Sequence, residues 1–515
     1  MSKIIKKVLV VGGGTAGWIT AGLIAATHKS IKGNTIEVAL VESPNIGPVG
    51  VGEGTWPTMR NTLIKLGISE TEFMRCCDAS FKQASKFVGW LDGSDAYYHP
   101  FTIPAKYIES NLASRWQDIR NKISFADAFS AQANICELGL APKQIATPEY
   151  AGVLNYGYHL DSLKFSELLK KHAQQALGVK HILDDVVGVN ALASGDIESV
   201  STQANGVITA DLFIDCTGFS SRLIGEHFGV GLIDVKNSLF VDSALAVQVP
   251  YPVTNENIAS HTLSTALPAG WVWDIGLPTR RGVGYVYSSS HTSDANAEAD
   301  LSAYAKTLGV SLDALSPRKI AINSGYRATP WVRNCVAVGL AAGFVEPLEA
   351  SSLVMVELAA KLISEELPAT HGVMAPTAKK FNALFRYRWE KIIDFLKLHY
   401  VLSKRTDSDF WVDNRSAETI PDSLQDLLDV WQYRSPWHDD FPQRDEIFSA
   451  ASYQYVLYGM GFNTEVRPYL KTENDYALLI NSVKEMAALT EKLKGGLPSN
   501  RELLSKIKTF GLNKI

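Results

Sequence analysis

The sequence predicts a mixed α/β (α+β) fold: a parallel sheet of Rossmann type, an antiparallel sheet, and a C-terminal helical module. Three observations predict it. An apolar run, KKVLVV (6–11), breaks into glycines and is followed by a helical pattern and a second apolar run. Residues 238–290 alternate apolar and polar in several stretches, and helical patterns dominate from about 375 to the end. At 515 residues with 46% hydrophobic and 20% charged side chains, the chain can bury a large core, which excludes disorder, collagen and coiled coil. Lys and Arg total 49 against 54 Asp and Glu, a net charge of −5, so no net basic field suits nucleic acid.

The elements follow in order. Continuous apolar strands such as 6–11 suit a parallel sheet buried on both faces. Residues 15–29 read as a helix and 35–42 (TIEVALVE) as the second strand, making a βαβ unit. Residues 58–90 are mostly helical in pattern, and 91–150 is a long irregular stretch. A helix over 161–176 precedes short strands through 181–215. VAVGL (336–340) returns to the first sheet and leads to a helix near 350–366. There is no repeat and no Gly/Ser linker. The expected organisation is therefore interleaved: a module over 1–370, with the nucleotide fold from about 1–57, 160–230 and 325–365 and substrate-side segments 58–159 and 231–324, then a helical module over 371–515 carrying a substrate lid. The lysine-led N-terminus has too short an apolar run and no A-x-A site, so it reads as a strand rather than a signal peptide. No stretch of ~18 apolar residues spans a membrane. Five cysteines (Cys76, Cys77, Cys136, Cys216, Cys335) without CxxC spacing point to a reducing compartment, with no disulfide framework and no thiolate metal site. A cytoplasmic protein is expected.

The first motif with chemistry is Gly12-Gly13-Gly14-Thr15-Ala16-Gly17, a G-x-G-x-x-G between strand and helix. Gly12, Gly14 and Gly17 permit the tight turn, close approach to a pyrophosphate, and helix–strand packing; Thr15 and Ala16 open the helix whose N-terminus favours an anion. Glu42 ends the second strand, where an acid can hold a ribose hydroxyl. The strand ADLFIDCTGFSSR (210–222) ends in small residues as FAD proteins do, and no second G-x-G-x-x-G offers a nicotinamide site. FAD is the expected dinucleotide.

At this point the chain resembles the flavin-dependent tryptophan-halogenase family, nearly end to end. The segments are VVGGGTAGW (10–18), GVGEGTWP (50–57), ASFKQASKFVGW (79–90), GWVWDIGLP (270–278), VGLAAGFVEPLEASS (338–352) and LHYVLSKRTDSDFW (398–411). The family's W-x-W-x-I-P appears as Trp271-Val272-Trp273-Asp274-Ile275-Gly276, with glycine in place of proline. The resemblance implies a fold of the para-hydroxybenzoate hydroxylase class. It also implies that reduced FAD, oxygen and chloride or bromide form hypohalous acid, which passes through a tunnel to a lysine beside an electron-rich aromatic such as an indole. Reduced FAD would come from a separate NAD(P)H-dependent flavin reductase. The family often dimerises, so a homodimer is one expectation.

By the same resemblance, the lysine is Lys82, serving as an ammonium hydrogen-bonded to hypohalous acid or as an amine forming a haloamine; Ala79, Phe81 and Ala84 around it suggest an inward-facing position. Glu349 would polarise the acid and take the ring proton, with Glu346 the nearby competitor. Backbone N–H groups of Ser351 and Ser352 would hold halide; Ala350 replaces the family's serine, and Ser352 its glycine, a position where backbone strain is expected. Ser43, Glu53, Gly54, Val186 and Leu340 would complete the FAD site. Leu340 stands where related aromatic hydroxylases carry Asp. His99 and Phe101 match an aromatic shelf for an indole, and Trp271 and Trp273 wall the tunnel. Residues 446–462 match the substrate lid loosely, so free tryptophan is not implied. A single-component flavin aromatic monooxygenase and a non-catalytic flavin-binding protein are the rival readings.

Overall fold

The computed structural model describes residues 3–30, 33–34, 36–47, 52–253, 255–312, 315–467 and 473–514. Thr35 of the expected second strand and Gly50 and Val51 of the GVGEGTWP segment lie outside the described residues.

The nucleotide half is a six-stranded sheet in the order Lys180–Leu183, Glu37–Glu42, Lys7–Val11, Leu212–Asp215, Cys335–Ala337, Trp331–Val332. The first five strands run parallel and the last is antiparallel. Val8, Leu9, Val10 and Val11 are all buried, because helices cover one face and further strands the other. The helix Thr15–Thr27 packs its Trp18, Ile19, Leu23 and Ile24 into the core and lies against the helices Ser351–Glu365 and Ser162–Gln175.

The second half is a seven-stranded sheet in the order Arg318–Ala321, Ser243–Pro250, Arg280–Tyr287, Gly270–Gly276, His261–Leu267, Ala84–Val88, Ala96–Pro100. Every neighbouring pair is antiparallel except His261–Leu267 with Ala84–Val88. Strand alternation gives it two characters. Val272, Tyr285 and Tyr287 face outward under the helix Asp294–Thr307, with Leu301 and Ala305 packed on them. Trp271, Trp273 and Ile275 face inward. A small sheet, Gly52–Gly54 with Gly157–Asp161 and Ser80–Lys82, bridges the halves.

The helical expectation over 58–90 holds only to Cys76. Helices Thr58–Leu66 and Glu70–Cys76 are followed by strands Ser80–Lys82 and Ala84–Val88. Lys, Gln and Ala favour helix locally, but both strands pair with partners distant in sequence, and that pairing overrides propensity. The stretch 91–150 is less irregular than expected, with the strand Ala96–Pro100 and short helices Ala113–Trp116, Phe125–Phe129 and Gln132–Glu137. In the C-terminal part, the 28-residue helix Met374–Val401 delivers His399 and Tyr400 to the centre of the molecule. The helix Asn500–Phe510 returns to the small sheet, where Asn500 Nδ2 donates to the Phe81 carbonyl at 3.3 Å. Among the described residues no helix is long and apolar enough to cross a membrane.

Candidate active site

The glycine end is built from main chain. Gly12 has φ +115°, and a Cβ there would lie 2.2 Å from the Cys216 carbonyl oxygen. A Cβ on Gly17 would meet the Gly12 oxygen at 1.9 Å. Only glycine allows this turn. The position over Gly14 is open, with nothing within 4 Å of an added Cβ. The helix Thr15–Thr27 has no side-chain cap and no acid in its first turn, so its leading N–H groups face open space. These residues fit a diphosphate, and one cavity of about 440 Å³ runs from Gly12 and Thr15 past Leu340 and Trp273 to Lys82 and Glu349.

Other expected cofactor residues line this cavity with their polar groups partly engaged. Glu42 Oε2 accepts from Lys170 Nζ at 2.8 Å, and Ser43 Oγ donates to Asp185 at 2.5 Å. The Val186 carbonyl accepts from Arg222 at 2.8 Å. Ala16, Gly54 and Leu340 also line the cavity. Glu53 is half-buried in its wall, and burial pushes its carboxyl up to about 7.

Side chains from distant segments form the other end. Lys82 is fully buried, and its Nζ makes no hydrogen bond among the described residues; it lies 5.2 Å from the centre of the Phe101 ring. Burial lowers its pKa to about 8, and the charge of Glu349 opposes that fall. Glu349 is held on three sides: Ser85 Oγ donates to Oε2 at 2.9 Å, His99 Nδ1 is 2.6 Å from Oε1, and Trp56 Nε1 donates to its carbonyl at 2.7 Å. His399 Nε2 stands 3.7 Å away, too far for a hydrogen bond, and acts through charge. Burial disfavours the Glu349 carboxylate, yet the charge of His99, with His399 adding to it, more than offsets burial and holds the carboxyl well below the usual range. His99, expected as part of an aromatic shelf, thus commits its Nδ1 to Glu349 while its ring faces Phe395 and Tyr455.

Glu346, unlike Lys82 and Glu349, does not line the cavity. Its Oε2 accepts from Trp271 Nε1 at 2.7 Å and from Tyr400 at 2.6 Å, and burial pushes its carboxyl up to about 7 against those bonds. Trp271 and Trp273 share the inner face of their strand and line the cavity. Backbone strain lies elsewhere than expected. Glu349 (φ 61°) and Ala350 (φ 56°) are left-handed, whereas Ser351 and Ser352 open the helix Ser351–Glu365, and Ser352 has no positive φ. A side chain at 352 is therefore unstrained, because the sharp turn is completed one residue earlier. Glycine at 276 also has a packing reason: a Cβ there would lie 2.9 Å from Ile258, and the Gly276 carbonyl accepts from Ser80 at 2.5 Å.

Sequence reasoning missed Ser85, His399, His159 and Thr262. Ser85 and His399 lay within the quoted segments ASFKQASKFVGW and LHYVLSKRTDSDFW, but nothing in their spacing tied them to Glu349. His159 and Thr262 carried no signal. No cluster able to hold a metal ion occurs among the described residues.

A dinucleotide cradle opening through one cavity onto a buried lysine and carboxylate, on this pair of sheets, is the FAD-binding fold of the flavin-dependent halogenases. The tryptophan halogenase family model matches residues 7–475, and the chain belongs to that family. It is 32% identical over 478 residues to the tryptophan 6-halogenase of Streptomyces toxytricini, covering 88% of this chain and 89% of the relative. The crystal structure of a tryptophan halogenase from Shewanella frigidimarina superposes with a TM-score of 0.97 at 48% identity, covering 100% of this chain and 99% of that one. A flavin-dependent halogenase from Brevundimonas superposes at 0.86 with 30% identity, covering 98% and 99%.

Proposed function

We propose that the protein is a two-component, FAD-dependent halogenase that places chlorine or bromine on an indole-type aromatic ring. The carrying observation is the single cavity joining the glycine cradle to Lys82 and Glu349. Gly12, Gly14 and the free N–H groups at Thr15 would hold the diphosphate, with Glu42 and Ser43 toward the ribose. Once bound and reduced, FAD supplies the electrons by which oxygen and halide become hypohalous acid and water. A separate NAD(P)H-dependent reductase delivers the reduced flavin. Backbone N–H groups at Ser351 and Ser352 suit the halide.

Lys82 then acts as an ammonium. It donates a hydrogen bond to the oxygen of hypohalous acid, and as the ring takes the halogen the proton follows, releasing water and leaving a neutral amine. Glu349, ionised throughout the working range, accepts the proton lost by the ring, and its return to Lys82 closes the cycle. His99 and Ser85 hold the carboxylate still for that transfer. Phe101 offers a flat face beside Lys82 for the aromatic substrate. The relatives named as tryptophan halogenases make tryptophan the first substrate to test.

The experiment is mass spectrometry of products from tryptophan, indole and a small aromatic panel, supplied with FAD, NADH, a flavin reductase, oxygen and chloride or bromide. A halogen isotope pattern lost in Lys82→Ala is expected. An oxygenated product without halogen would overturn the assignment.

A further inference from the structure

The inner face of the seven-stranded sheet forms one wall of the cavity, and that wall changes character from strand to strand. Register sets Ser264 beside Trp273, and Thr262 beside Ser85. One strand thus presents Trp271, Trp273 and Ile275 to the cavity, while the next presents the hydroxyls of Thr262 and Ser264 and the one beyond it that of Ser85. Ser85 is committed to Glu349. Thr262 is not bound to the catalytic carboxylate; its hydroxyl lies 2.8 Å from His159 Nε2.

His159 is built for that contact. It is fully buried on the strand Gly157–Asp161, its Nδ1 has no partner, and burial, followed by the charge of Lys82, keeps its ring neutral. A neutral imidazole has one N–H. Orphaned buried N–H groups are rarer than orphaned acceptors, so the tautomer that suits this site carries the proton on Nε2 and donates to Thr262. The Thr262 hydroxyl then keeps its own hydrogen and a lone pair for a guest in the cavity. The same histidine and the lysine both flank Gly54: His159 Cδ2 and Lys82 Nζ lie 3.6 and 3.4 Å from the Cβ position over it. Thr262 and Lys82 both line this cavity, and the charge of Lys82 acts on the His159 ring that holds Thr262.

We infer that Thr262, oriented by His159, binds hypohalous acid in the cavity and hands it to Lys82. The chemistry favours a hydroxyl there. Hypohalous acid both donates and accepts hydrogen bonds, and it halogenates indole rings, two of which, Trp271 and Trp273, stand on the adjacent strand. A hydroxyl holds the acid without reacting with it as those rings do. This inference rests on the role of Lys82 proposed above.

The test uses the intact protein with FAD reduced in advance, oxygen and halide, reading halogenated product per flavin oxidised. Thr262→Val is expected to lower that yield about fivefold to tenfold, as loss of one hydrogen bond would, with FAD affinity and flavin oxidation unchanged. The missing equivalents appear in a β-diketone trap for free hypohalous acid or as oxidised Trp271 and Trp273 in peptide mass spectra. Thr262→Ser restores the yield, and His159→Gln lowers it without adding to the effect of Thr262→Val. If valine weakens FAD binding, Thr262→Ala carries the same expectation. Wild-type yield in the hydroxyl-free variants, with Lys82→Ala inactive, overturns this inference alone. Product from Lys82→Ala overturns the role of Lys82 itself.

Discussion

The two ends of the central cavity are built by opposite means. The glycine end is a contiguous run whose main chain does the work and whose side chains are mostly absent; Gly12 and Gly17 matter for what they lack. The lysine end consists of side chains, most of them buried, drawn from residues 56, 82, 85, 99, 349 and 399. The first end suits a feature common to many nucleotides, the diphosphate. The second controls charge: Lys82 is left without a hydrogen-bond partner among the described residues, while Glu349 has several. Binding and chemistry should therefore fail separately.

The sharpest break is Lys82→Ala, expected to lower halogenated product by about 1,000-fold or more while FAD binding, read by flavin fluorescence, stays as in the parent. Its mirror is Gly17→Ala. A Cβ forced 1.9 Å from the Gly12 oxygen should raise the FAD dissociation constant by about 100-fold or more and leave the lysine end intact. pH sharpens the contrast. With the Lys82 pKa near 8 and its ammonium the active form, single-turnover halogenation should be level below about pH 7 and fall about tenfold per unit above pH 8, with no acid limb from Glu349. A rate that rises through pH 8 would instead favour a haloamine. The smallest effect is Ala350→Gly: relief of left-handed strain, partly offset by the freer unfolded chain, should raise stability by about 1 kcal/mol or less in denaturant titration.

The same contrast decides what could be read from the sequence. Gly12 to Gly17 and the flanking strand and helix are local, so their spacing carried their structure. Lys82 and Glu349 were named only through family resemblance, because nothing within either segment specifies the other. The strand state of residues 80–88 was hidden because two of its partners, His261–Leu267 and Gly157–Asp161, lie far along the chain, and the near one, Ala96–Pro100, falls in a stretch that reads as irregular. The bond between His99 and Glu349 joins residues 250 positions apart, which no local pattern encodes. The strain expected at Ser352 fell on Glu349 and Ala350, since the helix boundary was placed correctly but its turn was not visible.

The strand order of the parallel sheet also bears on how the protein is made. Lys7–Val11 lies beside Leu212–Asp215, which in turn needs Cys335–Ala337 on its far side. The glycine motif therefore waits until nearly two thirds of these 515 residues have been made before its sheet is complete. Until then the buried strand Leu212–Asp215 has an unpaired edge, the kind of surface that chaperones shield. Truncations short of Ala337 are expected to aggregate during synthesis rather than yield a free nucleotide-binding domain.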